Sequence, residues 1–136
     1  MPIKIPSSYP LEVYSTELSI AQLSHPVALP PSSEGVLFNL TICTDEISVV
    51  APTQWLNSIS NYVLQQSDEW RAIKISQQLD FSMVGVIALI SEQLSRKDIS
   101  IFVLSTYKTD YILIRSHTVS TAIDTLKLSG HNIKLI

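Results

Sequence analysis

Three glycines, one cysteine and a low density of charge set the first limits on this 136-residue chain. Gly35, Gly85 and Gly130 lie far apart, so no G-x-G-x-x-G and no phosphate-cradling glycine loop can be written. Cys43 is the sole cysteine, which rules out an internal disulfide and any C-x-x-C motif. No H-x-x-x-H occurs, and neither a zinc site nor any other metal or cofactor is expected. Charged residues make up 15% of the chain, against roughly 25% in ordinary soluble domains. With 46% hydrophobic residues this is not the composition of a disordered segment. Nine Lys and Arg that form no basic run, and a net charge of −3, argue against a nucleic-acid surface. No stretch approaches the roughly 18 apolar residues of a membrane span, the longest candidate being Val84 to Ile90. Prolines at 2, 6 and 10 leave no apolar core for a signal peptide, so a reducing cytoplasm is the expected location. Few charges on an apolar chain need a cause, and burial against a partner is one candidate.

What is present is a run of β-rich segments, clearer in the second half. Residues 1–10 read as an irregular lead-in and 11–23 as extended chain. His25-Pro26 and Pro30-Pro31-Ser32-Ser33-Glu34-Gly35 are breakers that leave room for a loop. Val36 to Cys43 and Ile47 to Val50 are strands around the turn Thr44-Asp45-Glu46, and Pro52 stops the second. A short helix fits within 54–64, and Gln65 to Glu69 reads as a polar connector. Trp70 to Ser76 alternates as a half-buried strand. A helix capped by Asp80 or Ser82 is expected to about Arg96, with Met83, Ile87, Ile90 and Leu94 on one stripe and Gly85 inside its first turn. Ile99 to Ser105 is apolar on both faces, which predicts a central strand. A loop at 106–110, a strand to Arg115, a helix capped by Ser116 and ended by Gly130, and a strand over 133–136 complete the pattern.

From Trp70 the order is therefore β-α-β-β-α-β, the split βαβ or ferredoxin-like unit. The first half reads as a degraded copy of it. The predicted architecture is α+β: a degenerate first unit over 11–64, a connector at 65–69 and a second unit over 70–136, side by side in one antiparallel sheet with helices on one face.

Catalytic chemistry finds little support. His25 lies in a proline loop, His117 at a helix start and His131 after a helix-ending glycine, all with ordinary structural roles. Cys43, in a β run without a nearby cation, reads as an inert buried thiol. Asn39-Leu40-Thr41 fits the glycosylation pattern but lies in an apolar strand. The stretch that reads as a site is Asp80-Phe81-Ser82-Met83-Val84-Gly85 at a strand-to-helix junction, where unpaired amides suit a carboxylate. The bland alternative is a cap and a packing glycine.

That segment with its neighbours, Leu79-Asp80-Phe81-Ser82-Met83-Val84-Gly85-Val86, followed by Ile99 to Leu113 with Ser105-Thr106-Tyr107-Lys108-Thr109-Asp110, resembles the ACT domain family, in particular the tandem branch that includes the CASTOR arginine sensors. Thr44 to Pro52 and Trp70 to Lys74 resemble the same branch. The resemblance implies a non-catalytic sensor or regulatory module that holds an amino acid at an ACT–ACT interface, as a homodimer and with a regulatory protein partner in reach. Carried over, it implies backbone N–H contacts from the turn of Asp80, Ser82, Met83, Val84 and Gly85 to a ligand carboxylate, a contact from Asp110 to a cationic group, and hydrogen bonds from the Thr106 and Thr109 hydroxyls. The rival reading is a ligand-free module whose sheet docks a protein.

Overall fold

The computed structural model describes residues 6–30 and 36–136; the sequence expectations for residues 1–5 of the lead-in and for the breaker cluster 31–35 lie outside it. The chain divides into two compact units, one made of Thr16–Trp70 and the other of the residues up to Ser15 together with Arg71–Ile136.

The 16–70 unit contains β2 (Leu18–Leu23), β3 (Asn39–Ile42), β4 (Ile47–Pro52), α1 (Thr53–Asn57), a 3-10 turn at Ser60–Tyr62 and the first part of β5 (Val63–Ile75). Its strands pair in the order β3-β4-β2-β5, all antiparallel. This is the ferredoxin-like order with the first helix missing: no helix occurs among the described residues between β2 and β3. The prolines there remove the donors a helix needs. Ala21, Leu23, Val49, Ala51 and Leu56 form the core, with the Phe38 and Trp55 rings edge-on at 5.3 Å. Residues 65–69, expected to be a connector, are instead strand: Gln65, Gln66 and Ser67 pair with Gln22, Ala21 and Ile20. Sequence polarity misled here because Asp68 is held by hydrogen bonds rather than by water alone. Ser19, fully buried, donates to Asp68 Oδ1 at 2.6 Å, and Gln66 Nε2 donates to the same oxygen. These donors hold the Asp68 carboxyl below its ordinary range. Having spent its one proton, Ser19 accepts from Thr53 at 2.7 Å. Glu69, at φ 65°, takes up the extra residue where the β2–β5 register slips. Cys43 is exposed, not buried, because β3 ends one residue before it.

The second unit is built from β1 (Pro10–Val13), the end of β5, α2 (Val86–Ser95), β6 (Ile101–Ser105), β7 (Asp110–Arg115), a 3-10 turn at Ser116–Thr118, α3 (Val119–Leu128) and β8 (Asn132–Leu135). The strand order is β6-β7-β5-β1-β8. A plain split βαβ would set β8 beside β5. Here β1 lies between them, antiparallel to β5 and parallel to β8, with Leu11 opposite Ile75 and Ile133. The expectation that residues from Leu11 begin the first unit is therefore corrected for β1. Leu11 and Val13 are buried with Ile73, Ile75, Ile112 and Ile114 under Ile90, Leu94, Ala122 and Leu126 of the two helices.

Three further expectations are revised. Helix α2 starts at Val86, not at 80–82, because Gly85 stands before it at φ 84°, a left-handed conformation that a residue without Cβ adopts freely. Strand β6 is at an edge and pairs with β7, so its two apolar faces do not signal a central position. Ser116 starts a 3-10 turn and does not cap α3. Gly130 does end α3 at φ 97°.

His131 locks the start of β1 to the helices. Its Nδ1 accepts the Tyr9 N–H at 3.0 Å, so the ring proton sits on Nε2 and points to Gln93 Oε1 at 2.7 Å. Burial pushes its pKa below the ordinary histidine value. A depressed pKa contributes stability that is present above about pH 6.5 and lost as pH falls. Urea unfolding at stepped pH is expected to show stability declining below about pH 6.5, with that part of the decline absent in His131→Gln. In the core, Ile90→Ala is expected to lower the unfolding free energy by about 2–5 kcal/mol in the same assay; a cost under 1 kcal/mol would contradict this packing.

Candidate functional site

The turn after β5 and the β6–β7 hairpin approach each other at one end of the second unit. Asp80 builds the turn. Its backbone carbonyl accepts the Met83 N–H, and its Oδ1 accepts both the Ser82 N–H at 2.8 Å and the Ser82 hydroxyl at 2.6 Å. Those two bonds hold the Asp80 carboxyl below the usual range. The hairpin is braced from inside: Thr106 Oγ1 donates to the Thr109 carbonyl, and the buried Thr109 hydroxyl donates to the Ile75 carbonyl at 2.7 Å. A backbone bond joins the two walls, from Leu79 N–H to the Lys108 carbonyl at 2.7 Å.

Between the walls lies a cavity of about 330 Å³. This is at the lower end of the roughly 300–1,000 Å³ of small-molecule sites. Asp80, Met83, Gly85, Thr106, Thr109 and Asp110 all line it; Ser82 and Val84 do not. Val84 is 74% exposed and points to solvent. The Thr106 and Thr109 hydroxyls give their protons within the protein, and their oxygens keep acceptor capacity. Within 80–85 the Ser82 and Met83 amides are bonded inside the turn, and the first turn of α2 adds Val86 and Ile87 to the lining. The helix ladder begins only at the Leu89 N–H bonded to Gly85, so the amides before it have no partner within the helix.

Asp110, in the lining, is paired with Ser105 across the hairpin and accepts its hydroxyl at 2.6 Å on Oδ1, which leaves Oδ2 to accept from another donor. Lys108, also in the lining, has no ion pair among the described residues. Sequence reasoning missed Lys108, Ser105 and the apolar lining of Leu79, Val86 and Ile87. Ser105 was findable, since closing the hairpin at 106–109 sets it opposite Asp110. Phe81 and Tyr107, also missed, stand at the rim with rings edge-on at 5.1 Å, each 75% exposed. The lining holds no histidine or cysteine, and no cluster of three metal-ligating side chains occurs among the described residues. No helix among those residues is long and apolar enough to cross a membrane.

Residues 65–127 match the family model described as ACT domain. The cytosolic arginine sensor for mTORC1 subunit 1 of Bos taurus is 28% identical over 102 residues, covering 72% of this chain, and that of Rattus norvegicus is equally similar. The chain spans about a third of the length of these relatives, 31% in each case. Among solved structures, Atu0741 of Agobacterium tumefaciens superposes with a TM-score of 0.80 at 27% identity, over 97% of this chain and 96% of that one. The ligand-free regulatory subunit of aspartate kinase from Thermus thermophilus superposes with a TM-score of 0.61 over 92% and 99% of the two chains, and at 7% identity shows shared fold alone. Residues 65–127 are thus similar to an ACT domain, in a fold of ferredoxin-like units of which the first is degenerate.

Proposed function

We propose that this protein is a non-catalytic, cytoplasmic sensor or regulatory module that binds a free amino acid at the cavity between the Asp80 turn and the β6–β7 hairpin. The observation that carries this reading is the cavity's pairing of a donor wall with an acid. The first amides of α2 and the Lys108 ammonium suit an α-carboxylate, favoured further by the positive end of the helix dipole. Asp110 Oδ2 suits the α-ammonium. The similarity to the bovine and rat arginine sensors supports amino acids as the ligand class. The cavity is open on one side in a single chain, so a second ACT surface from a homodimer closes it in this proposal. The 16–70 unit then contributes scaffold, and the second unit the site.

A second reading, favoured by the exposed Phe81, Val84 and Tyr107, is a ligand-free module that docks a regulatory protein there. The two readings part in a thermal-shift screen of the twenty amino acids. At a hundredfold excess over Kd, binding adds about 2.7 kcal/mol, a shift of several degrees. Asp110→Ala is expected to weaken the responding ligand by about ten- to a hundredfold, the size of a charge-assisted hydrogen bond. No shift with any amino acid, together with partner capture that survives Asp110→Ala, would favour the docking module instead.

A further inference from the structure

His131 ties three elements together through one residue. It lies between α3 and β8, 4% exposed, and its own N–H donates to the Leu126 carbonyl of α3. The Tyr9 N–H, just before β1, donates to Nδ1 at 3.0 Å, and Gln93 Oε1 of α2 accepts from Nε2 at 2.7 Å. The neutral ring with its proton on Nε2 satisfies both neighbours. A second proton, on Nδ1, would face the Tyr9 N–H, leaving two donors without an acceptor. No acid compensates the charge that would then appear. The Tyr9 phenol stacks on the ring at 6.3 Å between centroids. Glu12 of β1 and Lys134 of β8 alternate with residues packed in the core and so belong to the other face of the sheet. Glu92 of α2 and Asp124 and Lys127 of α3 are exposed, and among the described residues no charged side chain bonds to the imidazole.

Tyr9 is held weakly for so buried a residue. It is 1% exposed, yet its hydroxyl has no hydrogen-bond partner among the described residues, an arrangement that costs stability. Pro10, next along, has no N–H, so the Tyr9 amide is the donor that ties the start of β1. β1 has only four residues, and among the described strands it is the one neighbour of β8. Once Tyr9 lets go, fraying has a short path: β1 leaves β5, and β8 loses its ladder with it. The pairing of β5 with β7 and of β7 with β6 does not pass through β1.

We propose that His131 is an acid-operated latch: protonation of its ring releases Tyr9 and opens β1 together with β8, while β5, β6, β7 and the two helices stay folded. Opening returns the ring to water, where it takes a proton at its ordinary value; burial disfavours that proton in the closed form. Below about pH 6.5 the open population therefore rises by up to about tenfold per pH unit, until the closed form itself takes the proton. Hydrogen exchange of the full chain from about pH 7.5 to 5.5, expressed as protection factors to remove the intrinsic pH dependence of exchange, tests this without any ligand. Protection of the 11–13 and 132–135 amides is expected to fall by up to about tenfold per pH unit below about pH 6.5, while that of Ile90 and Ile112 holds. His131→Gln, which takes up no proton, is expected to make the β1 and β8 protection flat with pH. If that variant does not fold, the His131 ring resonances of the unmodified chain are expected to titrate over the same pH range in which β1 opens. Tyr9→Phe, which removes the unpartnered hydroxyl, is expected to raise β1 protection at every pH and keep its pH dependence. Equal loss at Ile90 and Ile112, β1 protection that ignores pH, or a dependence that persists in His131→Gln overturns the latch.

Discussion

A four-residue strand holds the site-bearing unit together. β1 contributes Leu11 and Val13 to a core whose other members, Tyr9 apart, come from residues 73–133, and it satisfies backbone groups on both β5 and β8. Its start is fixed by the Tyr9 amide on His131 and its end by mutual backbone bonds: Ser15 N–H to Ile136 and Ile136 N–H to Val13. Because these contacts join residues about 120 apart in sequence, their loop-closure entropy must be overcome before they stabilise anything. The 16–70 unit is inserted between Ser15 and Arg71, so the chain must complete the second unit from two separated pieces. β5 pairs with β1 through Ile73 and Ile75, and the Ile75 carbonyl anchors the hairpin through Thr109. The line from β1 to the cavity therefore runs through one strand.

The cavity owes its shape to backbone bonds and its chemistry to a few side chains left over. Asp80, Ser82, Thr106 and Thr109 look like ligand groups by type, yet most of their hydrogen-bonding capacity closes a turn or a hairpin. Preorganised walls lower the ordering cost of binding, which is where such internal bonds contribute to affinity. Gly85 has a comparable role. Its left-handed backbone lets the chain turn from the Asp80 loop directly into α2, whose first residues, Val86 and Ile87, line the cavity.

Much of this was legible in advance and the rest was hidden for identifiable reasons. Strand and helix periodicity gave the βαββαβ order from Trp70, and the D-F-S-x-x-G and S-T-x-x-T-D segments pointed to the two walls. The placement of β1 was not legible, because pairing between residues 10–13 and 132–135 leaves no local pattern. Polar residues 65–69 hid a strand, since Ser19, the group that satisfies Asp68, lies 49 residues away. The start of α2 was misplaced because a side-chain bond from Ser82 to Asp80 has the same residue signature in an isolated turn as in a helix cap. Strand β6 read as central from its apolar faces. The low overall charge has one clear local counterpart here, a half-exposed apolar edge at Ile101–Leu104 without a single Lys, Arg, Asp, Glu or Pro to discourage pairing.

The central claim is that one cavity, formed by the Asp80 turn and the β6–β7 hairpin, receives an amino acid. Amide-resolved nuclear magnetic resonance during titration with the amino acid that gives the largest thermal shift tests it directly. The account predicts saturable shifts that share one Kd at residues 79–87 and 105–110, with the Val86 and Ile87 amides among the largest. Shifts confined to the 16–70 unit, or no shifts in either wall at saturation, would contradict it.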